Sequence, residues 1–246
     1  MNIYHITYSP EPKIVCLHFW GCNLNCRGCL RYKEIYDCHL EETKRALFDP
    51  VNRVAKTPPP FLTLAEVERI LSDLDVREAV FMGQEPTIDL ELPGLAELLH
   101  KKFGSYNILL TNGFRLPSLK DIDEVVFSIK AITDSLHRHY TGKSNRKALV
   151  NFASLYKSGV KLRAESIFIP EYIDCNEIEN IARFIGGVDR SLPYRIDAYI
   201  PAGDNPWRRP TVEEMEAAVR VARQHLTEVS CLTGNEELKH EVIRII

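Results

Sequence analysis

The chain has 246 residues, 45% of them apolar and 26% charged, with a formal net charge of -3. That is the balance of a soluble globular protein, and it excludes a whole-chain basic field for nucleic acid or anionic lipid. No run approaches the roughly 18 apolar residues of a membrane span, and residues 1–12 lack a signal-peptide core, so the sequence predicts a cytoplasmic protein.

In chain order, residues 14–20 (IVCLHFW) read as the first buried strand, and a cysteine-rich loop follows. Residues 31–60 are polar, charged and without clear periodicity, ending in the stiff run Thr57-Pro58-Pro59-Pro60. Thr63 with Glu66 forms a capping box, and Val67, Ile70, Leu71 and Leu74 continue it as a helix. A strand at 79–82 ends at Gly83, a helix spans 92–103, and a strand at 107–111 ends in the turn pair Asn112-Gly113. Strand 124–129, helix 146–158 with Gly159 as its stop, and strand 161–169 follow. A helix opened by Asp174, a strand at 195–200, a helix capped at Thr211 and a short strand at 228–232 complete the chain. The run 137–139 (HRH) reads as a solvated turn, and 201–210 as a proline-braced connection. Strand and helix thus alternate about six times, which demands a parallel sheet with crossover helices, either open or a full or partial barrel. We read residues 1–246 as one domain, with 31–60 an elaboration following the cysteine loop.

The seven cysteines are odd in number, and Cys22, Cys26 and Cys29 cluster at C-x3-C-x2-C spacing. In a reducing compartment this reads as metal binding rather than as disulfides. A structural zinc would need a fourth ligand from Cys16, His18, Cys38 or His39, and no second C-x2-C pair is present. An iron–sulfur cluster held by three thiolates would instead keep one iron open to a small molecule.

The CxxxCxxC loop after a first strand resembles the radical S-adenosylmethionine (SAM) superfamily. Gly83-Gln84-Glu85-Pro86 is similar to that superfamily's GGEP segment, and Thr111-Asn112-Gly113 to its TNG turn. With Ser128-Ile129-Lys130, His137, Gly142, Asn145 and Ile169-Pro170, the succession resembles pyruvate formate-lyase activating enzyme and other glycyl-radical activases. The resemblance implies a partial (β/α)6 TIM-like barrel of parallel strands. It also implies one [4Fe-4S] cluster on Cys22, Cys26 and Cys29, and SAM on the open iron. The activity implied is reductive cleavage of SAM to a 5′-deoxyadenosyl radical that abstracts hydrogen from a substrate. That substrate is a partner glycyl-radical enzyme or a small metabolite, and an external ferredoxin or flavodoxin supplies the electron.

SAM would be contacted by Gly28, Gly83, Gln84, Glu85, Asn112 and Lys130, the Glu85 carboxylate being suited to an ammonium and Lys130 to a carboxylate. The chain departs from the activases at Gly28, Gln84, Leu110 and Ser128. Glu165 stands in place of a fifth-strand arginine, with Arg163 two residues earlier on the same strand face, and both are candidate SAM contacts. Asp197 and Tyr199 alternate on the next strand as possible substrate-facing residues. The alternative from another class is a non-catalytic zinc- or cluster-binding regulatory protein.

Overall fold

The computed structural model describes residues 1–33, 37, 39–40, 42–43, 56–57, 60–237 and 239–246. Most of the expected elaboration at 31–60, with Cys38, lies outside the described residues. Nine strands are seen among them: β1 (Ile3–Ser9), β2 (Ile14–Phe19), β3 (Glu78–Gly83), β4 (Tyr106–Thr111), β5 (Glu124–Ser128), β6 (Lys161–Phe168), β7 (Tyr194–Ala198), β8 (Val229–Leu232) and β9 (Ile243–Arg244). They form one sheet in the order β8-β7-β6-β5-β4-β3-β2-β1-β9. From β2 to β8 every neighbouring pair is parallel, while β1 runs antiparallel to both β2 and β9. The sheet has two edges, β8 and β9, so the parallel α/β architecture is present as an open, unclosed barrel.

Strand alternation decides which side chains meet. On β6 Leu162, Ala164, Ser166 and Phe168 are buried, and Arg163, Glu165 and Ile167 between them stand on the opposite, half-open face. On β2 Val15, Leu17 and Phe19 enter the core. That core is closed by the helices α1 (Leu64–Leu71), α2 (Leu92–Phe103), α3 (Asp134–Thr141), α4 (Arg146–Ser158), α5 (Cys175–Val188) and α6 (Val212–Ala222). Phe127 of β5 meets Phe152 of α4 edge-on at 5.2 Å, and each such fully buried ring is worth roughly 2–3 kcal/mol of transfer free energy.

The capped starts at Thr63 and Thr211 form as the sequence indicates, each threonine hydroxyl accepting from the amide three residues on while that glutamate's carboxylate accepts from the threonine amide.

Four details differ from the sequence reading. Residues 3–9 form β1, because burial against β2 and β9 outweighs their polar appearance. The chain continues past 228–232 into β9. No helix separates β4 from β5, whereas two, α3 and α4, separate β5 from β6. Residues 137–139 lie within α3 rather than in a solvated turn. His137 is buried there, its Nδ1 2.6 Å from the Lys143 carbonyl.

Candidate functional site

The cysteine loop leaves the C-terminal end of β2 and runs against the end of α3. A helix end leaves carbonyls without intrahelical partners, and here the loop supplies them. The Asn25 amide donates to the Thr141 carbonyl and the Arg27 amide to the Tyr140 carbonyl, both at 2.9 Å. From the other side, Asn205 Nδ2 donates to the Arg27 carbonyl at 2.8 Å. Trp207 stacks on Tyr172 at 4.2 Å and packs beside Tyr140 and Tyr199. The 201–210 connection is therefore a brace for the cysteine loop. At Gly28 the Tyr199 ring approaches so closely that a Cβ would lie 2.7 Å from it, with the Tyr140 hydroxyl at 3.3 Å.

Cys22, Cys26 and Cys29 line one cavity of about 330 Å³ together with Gly28, Gly83, Gln84, Asn112, Lys130 and Glu165. None of the three thiols is in a disulfide. Among the described residues, the group His5, His18 and Asp37 alone brings three potential metal-ligating atoms within 4.8 Å of one another. Three free thiols opening on one cavity can hold a metal centre and leave it accessible to a further ligand. Burial raises the thiol pKa of Cys22, and pushes that of Cys26 up to about 12 against the opposing pull of Lys130. The Lys130 ammonium has the opposite balance: burial opposes its charge, but Cys26, Glu165 and the other two thiols raise its pKa. Without a metal, burial thus favours the neutral thiol at Cys22 and Cys26, while Lys130 remains the cation beside them.

Two glycines set the approach of the strand ends. Gly83 has φ of 105°, and a Cβ there would lie 2.6 Å from the Phe19 carbonyl oxygen. Gly113 has φ of 67°, and a Cβ would lie 1.8 Å from Phe127 Cζ. Only glycine fits either position. The Asn112 side chain donates from Nδ2 to Asn23 Oδ1 at 2.8 Å and lies 3.6 Å from Cys22 Sγ.

Glu85 is fully buried and does not line the cavity. Its Oε1 accepts from the Thr87 amide at 3.2 Å, the Thr87 hydroxyl at 2.5 Å and the Thr111 hydroxyl at 2.7 Å; its Oε2 accepts from the Asn112 amide at 2.8 Å. Burial raises its pKa against these bonds. In this structure the Glu85 carboxylate ties the loop after β3 to the turn after β4.

Glu165 does face the cavity, and register places Arg195 of β7 directly opposite it. Ser128 Oγ donates to Glu165 Oε1 at 2.5 Å, and Arg195 Nη2 donates to Glu165 Oε2 at 2.7 Å. Arg195 also grips both oxygens of Asp197, at 2.7 and 2.9 Å. Arg195 went unrecognised in the sequence; its period-two alternation with Asp197 was the available signal. Asp197 and Tyr199 do not line the cavity: Asp197 is spent on Arg195, and the Tyr199 hydroxyl closes a turn with the amide and carbonyl of Ala202. Arg163 shares the strand face of Glu165 but lies nearer the strand's start, ion-paired to Glu124 beside a separate cleft of about 150 Å³.

Residues 17–185 match the family model of the Radical SAM superfamily. The chain belongs to the radical SAM superfamily. A Methanocaldococcus jannaschii protein whose name reads "putative glycyl-radical enzyme activating enzyme" is 29% identical to this radical SAM chain over 239 residues, 94% of this chain and 84% of the relative. A solved domain of pyruvate-formate lyase-activating enzyme from Bacteroides vulgatus has a similar fold, with TM-score 0.54 and 13% identity. That match covers 63% of this chain and 99% of the domain. Streptococcus suis SuiB bound to S-adenosylmethionine superposes with TM-score 0.60 at 13% identity, over 86% of this chain and 47% of SuiB. Membership makes this an enzyme of radical SAM type, a family whose members bind a [4Fe-4S] cluster and SAM, and it replaces the regulatory, non-catalytic alternative. No helix among the described residues is long and apolar enough to cross a membrane.

Proposed function

We propose that this radical SAM enzyme holds one [4Fe-4S] cluster on Cys22, Cys26 and Cys29, binds SAM in the adjoining cavity, and generates a glycyl radical on a partner protein. When bound, the cluster and SAM supply reductive C–S cleavage to methionine and a 5′-deoxyadenosyl radical, the electron coming from ferredoxin or flavodoxin. The observation that carries the reading is the trio of free thiols opening on one cavity that Lys130 also lines.

This chain's residues do the holding and orienting. Lys130 offers its ammonium both to the anionic thiolate centre and to a ligand carboxylate. Glu165, fixed by Ser128 and Arg195, offers the cavity wall a carboxylate edge for hydroxyl or ammonium donors. Gly83 and Gln84 form the wall beside it, and the Asn112 side chain pins the cysteine loop at Asn23. The tyrosines over Gly28 back the loop between Cys26 and Cys29. The named relative supports the protein substrate.

The test is anaerobic reconstitution with iron and sulfide. Dithionite-reduced protein is expected to form 5′-deoxyadenosine from SAM, and Cys26→Ala to form none. With a glycyl-radical enzyme as substrate, the electron paramagnetic resonance doublet of a glycyl radical is expected. Deoxyadenosine without that doublet across a panel of such partners would assign a small-metabolite substrate instead.

A further inference from the structure

A second set of side chains able to ligate a metal lies where β1 and β2 meet the cavity, His5 on β1 and His18 on β2 with Asp37 against them. His5, His18 and Asp37 are all buried, and one ligand atom from each falls within 4.8 Å of the others. His18 Nε2 is 3.2 Å and His5 Nε2 3.9 Å from Asp37 Oδ2. Thr7 Oγ1 joins them, 2.8 Å from the same oxygen and 3.3 Å from His18 Nε2.

The hydrogen bonds around the group leave it short of a proton. His5 Nδ1 meets the Ile246 main-chain oxygen, which accepts only, so Nδ1 carries the ring proton and Nε2 the lone pair. That Nε2 is buried and has no hydrogen-bond donor among the described residues. It faces a carboxylate oxygen already taken by the Thr7 hydroxyl, while the other oxygen accepts the His39 amide at 2.8 Å. A lone pair opposed to an anion in a buried place is costly. A cation between them removes the conflict. A ring that donates its far N–H to a backbone carbonyl is also the usual outer-shell arrangement of a metal-bound histidine.

We propose that His5 Nε2, His18 Nε2 and Asp37 Oδ2, with Thr7 Oγ1 beside them, form a mononuclear zinc site separate from the cysteine centre. A tetrahedral zinc with bonds of about 2.0–2.1 Å spaces its ligands about 3.3 Å apart, and the separations here bracket that value. Two imidazoles and a carboxylate suit zinc better than a hard cation such as magnesium. The ion would fasten the Asp37 segment across β1 and β2 where His18 and Asp37 reach the cavity wall. The site stands independently of the proposed radical chemistry.

The test uses the full chain with its reconstituted cluster, exposed to one equivalent of zinc, desalted, and measured for zinc and iron together. About one zinc per chain is expected; His5→Gln and Asp37→Asn should retain less than about a tenth of it while keeping their iron, and Cys22→Ala should keep its zinc. No retained zinc in the parent chain, undiminished zinc in His5→Gln and Asp37→Asn, or zinc lost with Cys22→Ala would each overturn the site. Should the ligand variants fail to fold, cobalt added to the chain carrying Cys22→Ala, Cys26→Ala and Cys29→Ala decides. Ligand-field bands without sulfur-to-cobalt charge transfer, displaced by zinc, are expected; no such bands, or a sulfur band, would refute the proposal.

Discussion

Replacing Glu85 separates two roles that its carboxylate was able to serve, ligand contact and loop support. Its two oxygens receive two backbone amides and two hydroxyls, all buried. In Glu85→Gln one oxygen becomes an NH2. If that amide faces Asn112, the Asn112 N–H loses its acceptor; if it faces the threonines, the Thr87 N–H does. The hydroxyls can turn to accept, but a backbone N–H cannot. Either rotamer leaves one buried donor unpaired, at about 1–3 kcal/mol, and we expect a loss near 2 kcal/mol. Glu85→Ala orphans both amides and leaves a void, for a loss of about 4 kcal/mol or more. A domain has only about 5–15 kcal/mol in total. With a urea slope of about 3 kcal/mol/M, Glu85→Gln should lower the unfolding midpoint of the cluster-free chain by roughly 0.7 M. An unchanged midpoint in both variants would refute the supporting role. If Glu85→Gln kept its midpoint but lost SAM affinity, the carboxylate would be a ligand contact after all.

Gly113→Ala should cost at least about 3 kcal/mol in the same urea assay, because its Cβ would sit within the Phe127 ring and φ is positive. Lys130→Gln should keep its iron stoichiometry but raise the SAM dissociation constant about tenfold or more by equilibrium binding, as a charge-assisted bond is lost. His100 lies between Asp121 and Asp123; burial opposes its charge, but these partners raise its pKa above the unfolded value. Its stabilisation is therefore fully present below about pH 6.5 and is lost as pH rises through the raised folded value. Measured by thermal melting, the stability gap between parent and His100→Gln should be about 1 kcal/mol at pH 5.5 and shrink by pH 8.5.

Local chemistry carried much of this protein in its sequence. The threonine–glutamate boxes at Thr63 and Thr211, the apolar alternation of the central strands and the Cys22–Cys26–Cys29 spacing all act over a few residues, within one turn or one strand. Those features were enough to establish a parallel α/β chain and to single out its cysteine loop as the candidate metal site. Helix α3 escaped the reading because its short, polar, histidine-bearing sequence has little helical signal of its own. Its buried face is satisfied by Lys143 and by the cysteine loop it supports.

What only the tertiary structure decided were partnerships across long separations. Glu85 finds its partners in Thr111 and Asn112, and Arg195 answers Glu165 because parallel register sets them side by side. His5, His18 and Asp37 converge although the polar look of residues 1–12 concealed that β1 exists at all. Periodicity records which face of an element is apolar. It does not record which element lies opposite or in what register, and buried polar groups find their partners through that register.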